Sequence, residues 1–367
     1  MNLKLKETAA SIGILMLVAA LVYLLFSQLQ QNLASQNIAT GFDFLSYEAG
    51  FEISESLINY DSFASYKEAL FVGFLNTLKM SILGCMFAFF IGLLFGVLGV
   101  SQKKAVKGLS DNYINITRNI PLLLQLFFWY ALFTDIFPSV KQARPWFGML
   151  FTNRGFYISF FESNLVGYLF VFSLALILFF IGRVSLTKIK RYRPYFFVCA
   201  TLVSFISLTI TFSNLFSISS PKLSGFNING GVNLSPEFCS LFLGLTIYTG
   251  AFMAEIIRSG ILSINQGQWE AARSLGLNEL QVLRFIIIPQ SFKVSLPPLI
   301  SQFLNLAKNS SLAVAIGYPD FVSIANTSMN QTGQAIELVL LIMIMYLGIS
   351  LSSSFTLNLI GRKKSGQ

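Results

Sequence analysis

The sequence has no histidine, and Asp, Glu, Lys and Arg together make up only 11% of its 367 residues. The missing histidine excludes Ser-His-Asp triads, HExxH zinc sites and a histidine-ligated haem. The low charge excludes an ordinary soluble domain, where about a quarter of residues are charged. There is no GxxxxGK[ST] phosphate loop, so any ATP that drives this protein is bound by another chain. The three cysteines, Cys85, Cys199 and Cys239, are scattered and form no CxxC pair. They support neither a disulfide framework nor a zinc site and read as small apolar residues. No metal or cofactor is expected.

What the chain has is apolar surface: 54% of residues are hydrophobic. Several runs reach the roughly 20 residues needed to cross a hydrocarbon core of about 30 Å. The pattern predicts an all-α polytopic membrane protein with about eight spans, near 8–27, 69–100, 112–137, 164–182, 195–217, 238–262, 294–318 and 336–360. Lys4 and Lys6 ahead of the first run also fit a signal peptide. The run is long and no small-residue cleavage site follows it, so a retained anchor is favoured.

The net charge of +9 is not a nucleic-acid footprint, because the basic residues fall in short clusters between apolar spans. Lys103, Lys104 and Lys107 mark one loop, and Arg183, Lys188, Lys190, Arg191 and Arg193 another. Arg258, Arg273, Arg284 and Lys293 mark a third, and Arg362, Lys363 and Lys364 close the chain. Eight spans put all of these and the N-terminus on one side, expected to be cytoplasmic. The loop at 28–68 on the other side is acidic, with Asp43, Glu48, Glu52, Glu55 and Asp61. Within the second span, Gly92 and Gly96 form a GxxxG step suited to close helix packing.

The most informative stretch is 268–289. Gln268 to Gly276 reads as a short helix that Gly276 ends in a left-handed cap. Asn278 then serves as the N-cap of a second helix, with Gln281 in the capping-box position, and Pro289 interrupts that pattern. Residue chemistry alone gives a helix, a tight turn and a helix on the cytoplasmic side.

The spacing adds more. Glu270-Ala271-Ala272, three residues, Gly276, nine residues, then Ile286-Ile287-Ile288-Pro289 resembles the EAA signature of permease subunits of ABC importers. Gly73 to Leu78, Arg118 to Gln125 and Tyr248 to Gly260 resemble the polar amino-acid branch of that family. Gly230-Gly231, Leu234 to Phe238 and Lys308 to Pro319 are closer still to the general L-amino acid permeases. The resemblance covers 69–137 and 230–360. It implies the five-helix core of type I importers, with an N-terminal helix and a two-helix insertion added. The expected parts are 1–68, an anchor and periplasmic loop; 69–137, the first part of the core; 138–229, the insertion; and 230–367, the second part of the core.

In that family the EAA segment is a coupling helix docked on an ATPase. The resemblance gives that role to Trp269, Glu270, Ala271, Ala272, Arg273 and Gly276. It also implies an ABC ATPase dimer, a second related permease (a heterodimer is favoured), a periplasmic amino-acid-binding protein, and a bacterial inner-membrane location with both termini cytoplasmic. ATP is held by the partner.

In the seventh span, Ser301, Asn305, Lys308 and Asn309 share one helical face. A lysine facing lipid costs a few kcal/mol at least, which points the stripe to a bundle interior or a water-filled path; snorkelling to an interface is the other physical reading. The resemblance favours a substrate pocket, with Lys308 attracting an α-carboxylate and Asn305, Asn309, Ser310 and Ser311 supplying hydrogen bonds. Glu255 and Arg258 fit either a gate or an i,i+3 pair. Two other classes stay open: an ion-coupled secondary amino-acid transporter, which leaves the EAA segment unexplained, and a membrane enzyme built on Ser310 or Ser311 with Lys308.

Overall fold

The computed structural model describes residues 2–35, 40–145, 147–163, 216–224 and 227–365. The described chain is mostly helical. It divides into two units by contact, residues 1–126 with 241–367, and residues 127–240.

In the first unit, helix α1 (Asn2–Ser35) carries the apolar run of the first expected span, and side chains such as Leu15, Leu17 and Leu24 are exposed on it. Residues 40–65 follow as a folded segment with little regular structure. A short 3-10 turn, Asp43–Ser46, buries Phe44, whose ring lies 5.9 Å from that of Tyr66.

Helix α2 (Tyr66–Leu98) begins at a capping box: the Ser65 side chain accepts from the Glu68 amide, and Glu68 accepts from the Ser65 amide. Helix α3 (Lys104–Asn119) stops because Ile120 precedes a proline and is held extended at φ −96°, ψ 126°. Helix α4 (Leu122–Ala131) restarts beyond Pro121 and runs into a wide π turn, Leu132–Ile136. The single span expected over 112–137 is thus two helices, broken where the Ile120 backbone cannot be helical.

The second unit holds structure that the hydropathy pattern did not reveal. Strands β1 (Met149–Thr152), β2 (Gly155–Ile158), β3 (Phe160–Ser163), β4 (Phe216–Ser219), β5 (Lys222–Ser224), β6 (Asn227–Asn229) and β7 (Val232–Leu234) form three small antiparallel sheets. One has the order β1-β2-β7, and β3 pairs with β4 and β5 with β6. The rings of Phe133, Phe137, Phe151 and Phe156 pack together beside the first sheet, with Phe151 and Phe156 4.9 Å apart. The expected span at 164–182 lies outside the described residues. So does that at 195–217, except that 216 and 217 already belong to β4, so a helix there cannot run to its expected end.

Helix α5 (Pro236–Leu262) returns to the first unit and packs against α2. A Cβ on Gly92 would lie 2.6 Å from the Met253 Cβ, and one on Gly96 2.8 Å from the Ile257 Cβ and 2.9 Å from the Ala254 carbonyl. The GxxxG step is the seam of this helix pair. Helices α6 (Gln266–Ser274) and α7 (Glu279–Val282) form the expected hairpin. A π turn, Leu283–Ile287, leads straight into α8 (Ile288–Asn309). Pro289 does not break the helical path as expected. It stands in the first turn of α8, where its missing N–H costs nothing.

The expected span at 294–318 is also interrupted: α8 ends at Asn309 and tightens into a 3-10 segment, Ser310–Ile316. Helix α9 (Phe321–Thr332) is capped by Asp320, and α10 (Ala335–Ser365) closes the unit. Three helices among the described residues are long and apolar enough to cross a membrane: Tyr66–Leu98, Pro236–Leu262 and Ala335–Ser353. The broken pair α3 and α4 adds a fourth if it is one span.

Candidate functional site

The α6–α7 hairpin is shaped by its own hydrogen bonds. Asn265 caps α6 by accepting from the Gly267 amide at 2.8 Å. At the far end the Leu277 amide donates to the Ala272 carbonyl at 3.4 Å and the Gly276 amide to Arg273 at 2.9 Å. This double closure satisfies the last carbonyls of the helix and requires a left-handed residue, which Gly276 supplies at φ +77°. Asn278 and Gln281 then exchange the two bonds of a capping box, at 2.9 and 3.0 Å. Sequence spacing located the caps at Gly276 and Asn278 but not the one at Asn265.

Within the hairpin, Arg273 bonds Glu279 at 3.0 Å and stacks its guanidinium over Trp269 at 5.9 Å. Ala272 is buried, Trp269 half-buried, and Glu270, Ala271 and Gly276 are exposed. Leu275 and Leu280 stand out with more than three-quarters of their surface exposed, at 79% and 78%. The hairpin is capped at both helix starts and apolar at its tip.

Glu255 and Arg258 form the i,i+3 pair, at 2.8 Å, but they are not alone. Arg258 also bonds Asp111 of α3 at 2.8 Å, and Arg118 approaches Glu255 at 3.9 Å while lying 5.0 Å over the Phe252 ring. Two cations and two carboxylates thus tie α3 to α5. Asp111 was missed by sequence reasoning. The signal was present: it is the one carboxylate in α3, a helix otherwise basic and amide-rich.

On α8, Ser301, Asn305 and Lys308 are exposed, Asn309 is half-buried and Ser310 fully buried. The hydroxyls of Ser310 and Ser311 donate back to the carbonyls of Ala307 and Lys308, both at 2.8 Å. They occupy the junction where the α-helix gives way to the 3-10 segment. Lys308 forms no ion pair among the described residues.

A second polar cluster, also missed, surrounds the start of α2. Asn76 is buried and donates to two carbonyls, Glu55 at 2.7 Å and Pro319 at 2.9 Å. Thr77 accepts from the Phe321 amide at 3.0 Å, and Lys79 forms an ion pair with Glu55. Asp320, wholly buried, accepts from the Ser323 amide at 2.8 Å. Burial pushes its carboxyl up to about 7, against the opposing pull of the backbone amides that it accepts from. Asn76 lay within a quoted motif, but only the fold shows what it touches.

Long apolar helices, a charge-tied helix pair and a capped hairpin with exposed leucines describe a membrane-embedded helical protein. The family model described as "Binding-protein-dependent transport system inner membrane component" matches residues 88–366, and the chain belongs to that family. It is 43% identical over 361 residues to a putative amino-acid ABC transporter permease protein, YhdX, of Escherichia coli, covering 94% of this chain and 91% of the relative. It is 38% identical over 343 residues to the general L-amino acid transport system permease protein AapQ of Rhizobium johnstonii, covering 89% and 84%. A solved structure titled as an amino acid ABC transporter with histidines aligns with a TM-score of 0.49 and 23% identity, over 81% of this chain and 95% of that one. The family match and the two relatives bear out the resemblance to ABC-importer permeases: this is a multi-pass inner-membrane permease subunit of an ABC-type transport system.

Proposed function

We propose that the protein carries L-amino acids into the cytoplasm by alternating access, as one of two related permeases joined to a dimer of ATPases and served by a periplasmic binding protein. The observation that carries this reading is near-full-length similarity to a permease named for general L-amino acid transport, together with an exposed Lys308 on the face of α8 that also holds Ser301 and Asn305. ATP is bound and hydrolysed by the partner. Both termini and the α6–α7 hairpin lie on the cytoplasmic side.

The hairpin receives the ATPase stroke. Leu275 and Leu280 offer apolar contact, Glu270 and Arg273 polar contact, and exposed Ala271 allows close approach. The capped turn at Gly276 passes displacement through α7 and the following π turn to α8. Helix α8 ends in the polar segment, so motion at the hairpin reaches Asn305, Lys308, Asn309, Ser310 and Ser311 along one continuous helical path. Lys308 holds the substrate carboxylate, and the amides of Asn305 and Asn309 with the hydroxyl of Ser311 orient it, whereas Ser310, buried and bonded to the Ala307 carbonyl, shapes the junction instead of touching the substrate. The Asp111, Arg258, Glu255 and Arg118 network acts as a clasp between α3 and α5 that keeps the cytoplasmic end together until the stroke.

The test is uptake of a panel of radiolabelled L-amino acids by proteoliposomes holding the complete complex. Lys308→Ala is expected to abolish uptake while the purified complex keeps its subunits. Unchanged uptake across the panel removes Lys308 from the substrate path. Uptake that persists without the ATPase would favour an ion-coupled transporter instead.

A further inference from the structure

Residues 40–65 are more than a connection between α1 and α2. Phe44 and Ala49 are buried in one apolar cluster with Tyr66, Leu70, Phe321 and Leu338. The Gly41 amide donates to Glu337 of α10 at 2.8 Å. The segment therefore crosses from α10 to α2, and between these anchors it sends the Glu55 carboxylate to Lys79.

Lys79 stands 13 residues beyond the start of α2, about 20 Å along the axis at 1.5 Å per residue. It lies in a helix apolar enough to cross a membrane. A lysine in such a span needs an interior partner, and here the partner comes from outside the helix. The side chains of Lys79 and Glu55 are only 18% and 12% exposed.

Asn76, one turn earlier, binds both the Glu55 carbonyl and the Pro319 carbonyl. Pro319 lies two residues beyond Gly317, which caps the 3-10 segment that ends the Lys308 region. One amide thus joins three things: the 40–65 segment, α2, and the turn at the end of the polar segment.

We propose that residues 40–65 form an extracytoplasmic latch, with the Glu55 carboxylate on Lys79 and the Glu55 carbonyl on Asn76 as its catch, which holds the outer end of the core shut and releases once in each transport cycle. This rests on the importer reading above. The physics suits a catch. A buried ion pair gains little over water once desolvation is counted, while a lone buried charge is strongly unfavourable. Closed, the two charges satisfy each other; released, water satisfies both. The state to avoid is one partner without the other. The two limbs of the segment are tied by backbone bonds at Tyr47–Tyr66, Ala49–Ala64 and Gly50–Ser62, a short ladder that ends before Glu55. Beyond it the Tyr60 hydroxyl donates to the Phe51 carbonyl, so the part that carries Glu55 can release while the base of the segment stays in place.

The test uses the complete complex in proteoliposomes, in a background with Cys85, Cys199 and Cys239 replaced by serine. Glu55→Cys and Lys79→Cys are joined by a reducible bis-methanethiosulfonate cross-linker. Uptake is expected to fall to background when the link forms and to return on reduction. Full uptake with the link in place overturns the latch. If that pair does not assemble, Glu55→Gln is measured for ATPase activity without binding protein. A weakened latch raises that basal rate about fivefold or more, the lower end of ordinary coupling between sites. An equal fall with and without binding protein marks a purely structural contact and overturns the latch as well. The parent complex separates the two readings: if it shows no ATP-driven uptake, the importer assignment fails and the latch with it. If it does transport and the cross-linked form transports equally, the latch fails alone.

Discussion

Gly276→Ala isolates the contribution of the hairpin turn. Gly276 sits at φ +77°, and a Cβ built there meets nothing within 4 Å. The substitution therefore adds no clash, and its cost is the backbone cost alone. A left-handed conformation costs an L-residue about 1–2 kcal/mol. That weakens the closed turn roughly five- to thirtyfold relative to unwound alternatives. The rest of the hairpin, with its capping box and the Arg273–Glu279 pair, keeps its contacts. Asparagine tolerates the left-handed region better, so Gly276→Asn should fall between glycine and alanine. The assay is binding-protein-stimulated ATPase activity and uptake, measured together on the purified complex. The expected order for uptake per ATP is glycine, then asparagine, then alanine, with permease and ATPase still co-purifying. Alanine matching glycine would show that the turn geometry does not carry the stroke. Alanine and asparagine failing equally would show that the absence of a side chain matters, not the backbone conformation.

Two further outcomes follow from packing and burial. Gly96→Ala places a methyl 2.8 Å from the Ile257 Cβ and 2.9 Å from the Ala254 carbonyl, and overpacking of this kind costs about 1–3 kcal/mol. Gly348→Ala, with open space around it, should be neutral or slightly stabilising; equal thermal unfolding of the two variants in detergent would refute the α2–α5 seam. Asp320, with its folded-state pKa raised from 3.8 to about 7, makes the folded state bind more protons than the unfolded state between those values. Its contribution to stability therefore falls as pH rises from about 4 to 7. Asp320→Asn keeps a capping side chain and should flatten that slope, while Asp320→Ala loses the α9 cap at about 1 kcal/mol; identical pH profiles for wild type and Asp320→Asn would refute the burial argument.

The membrane class, the helical core and the hairpin were legible because each is local. Hydropathy over about 20 residues needs no fold to be read, and the caps at Gly276 and Asn278 are set by residues a few positions away. The break at Ile120 was legible in principle from the proline after it, yet the apolar run masked it. The strands of the second unit were not legible, because short β segments depend on partners such as Phe156 opposite Leu234, nearly 80 positions away in the chain.

The sequence by itself determined that this chain lives in a membrane, has no phosphate loop of its own, and presents a capped hairpin of permease type. Only the tertiary structure decided which charges meet. Asp111 finds Arg258 across 147 positions, and Asn76 finds Pro319 across 243. The reason is physical: a hydrophobic run signals itself through composition, whereas a polar group in an apolar span is defined by its partner, and only the packed helices choose that partner.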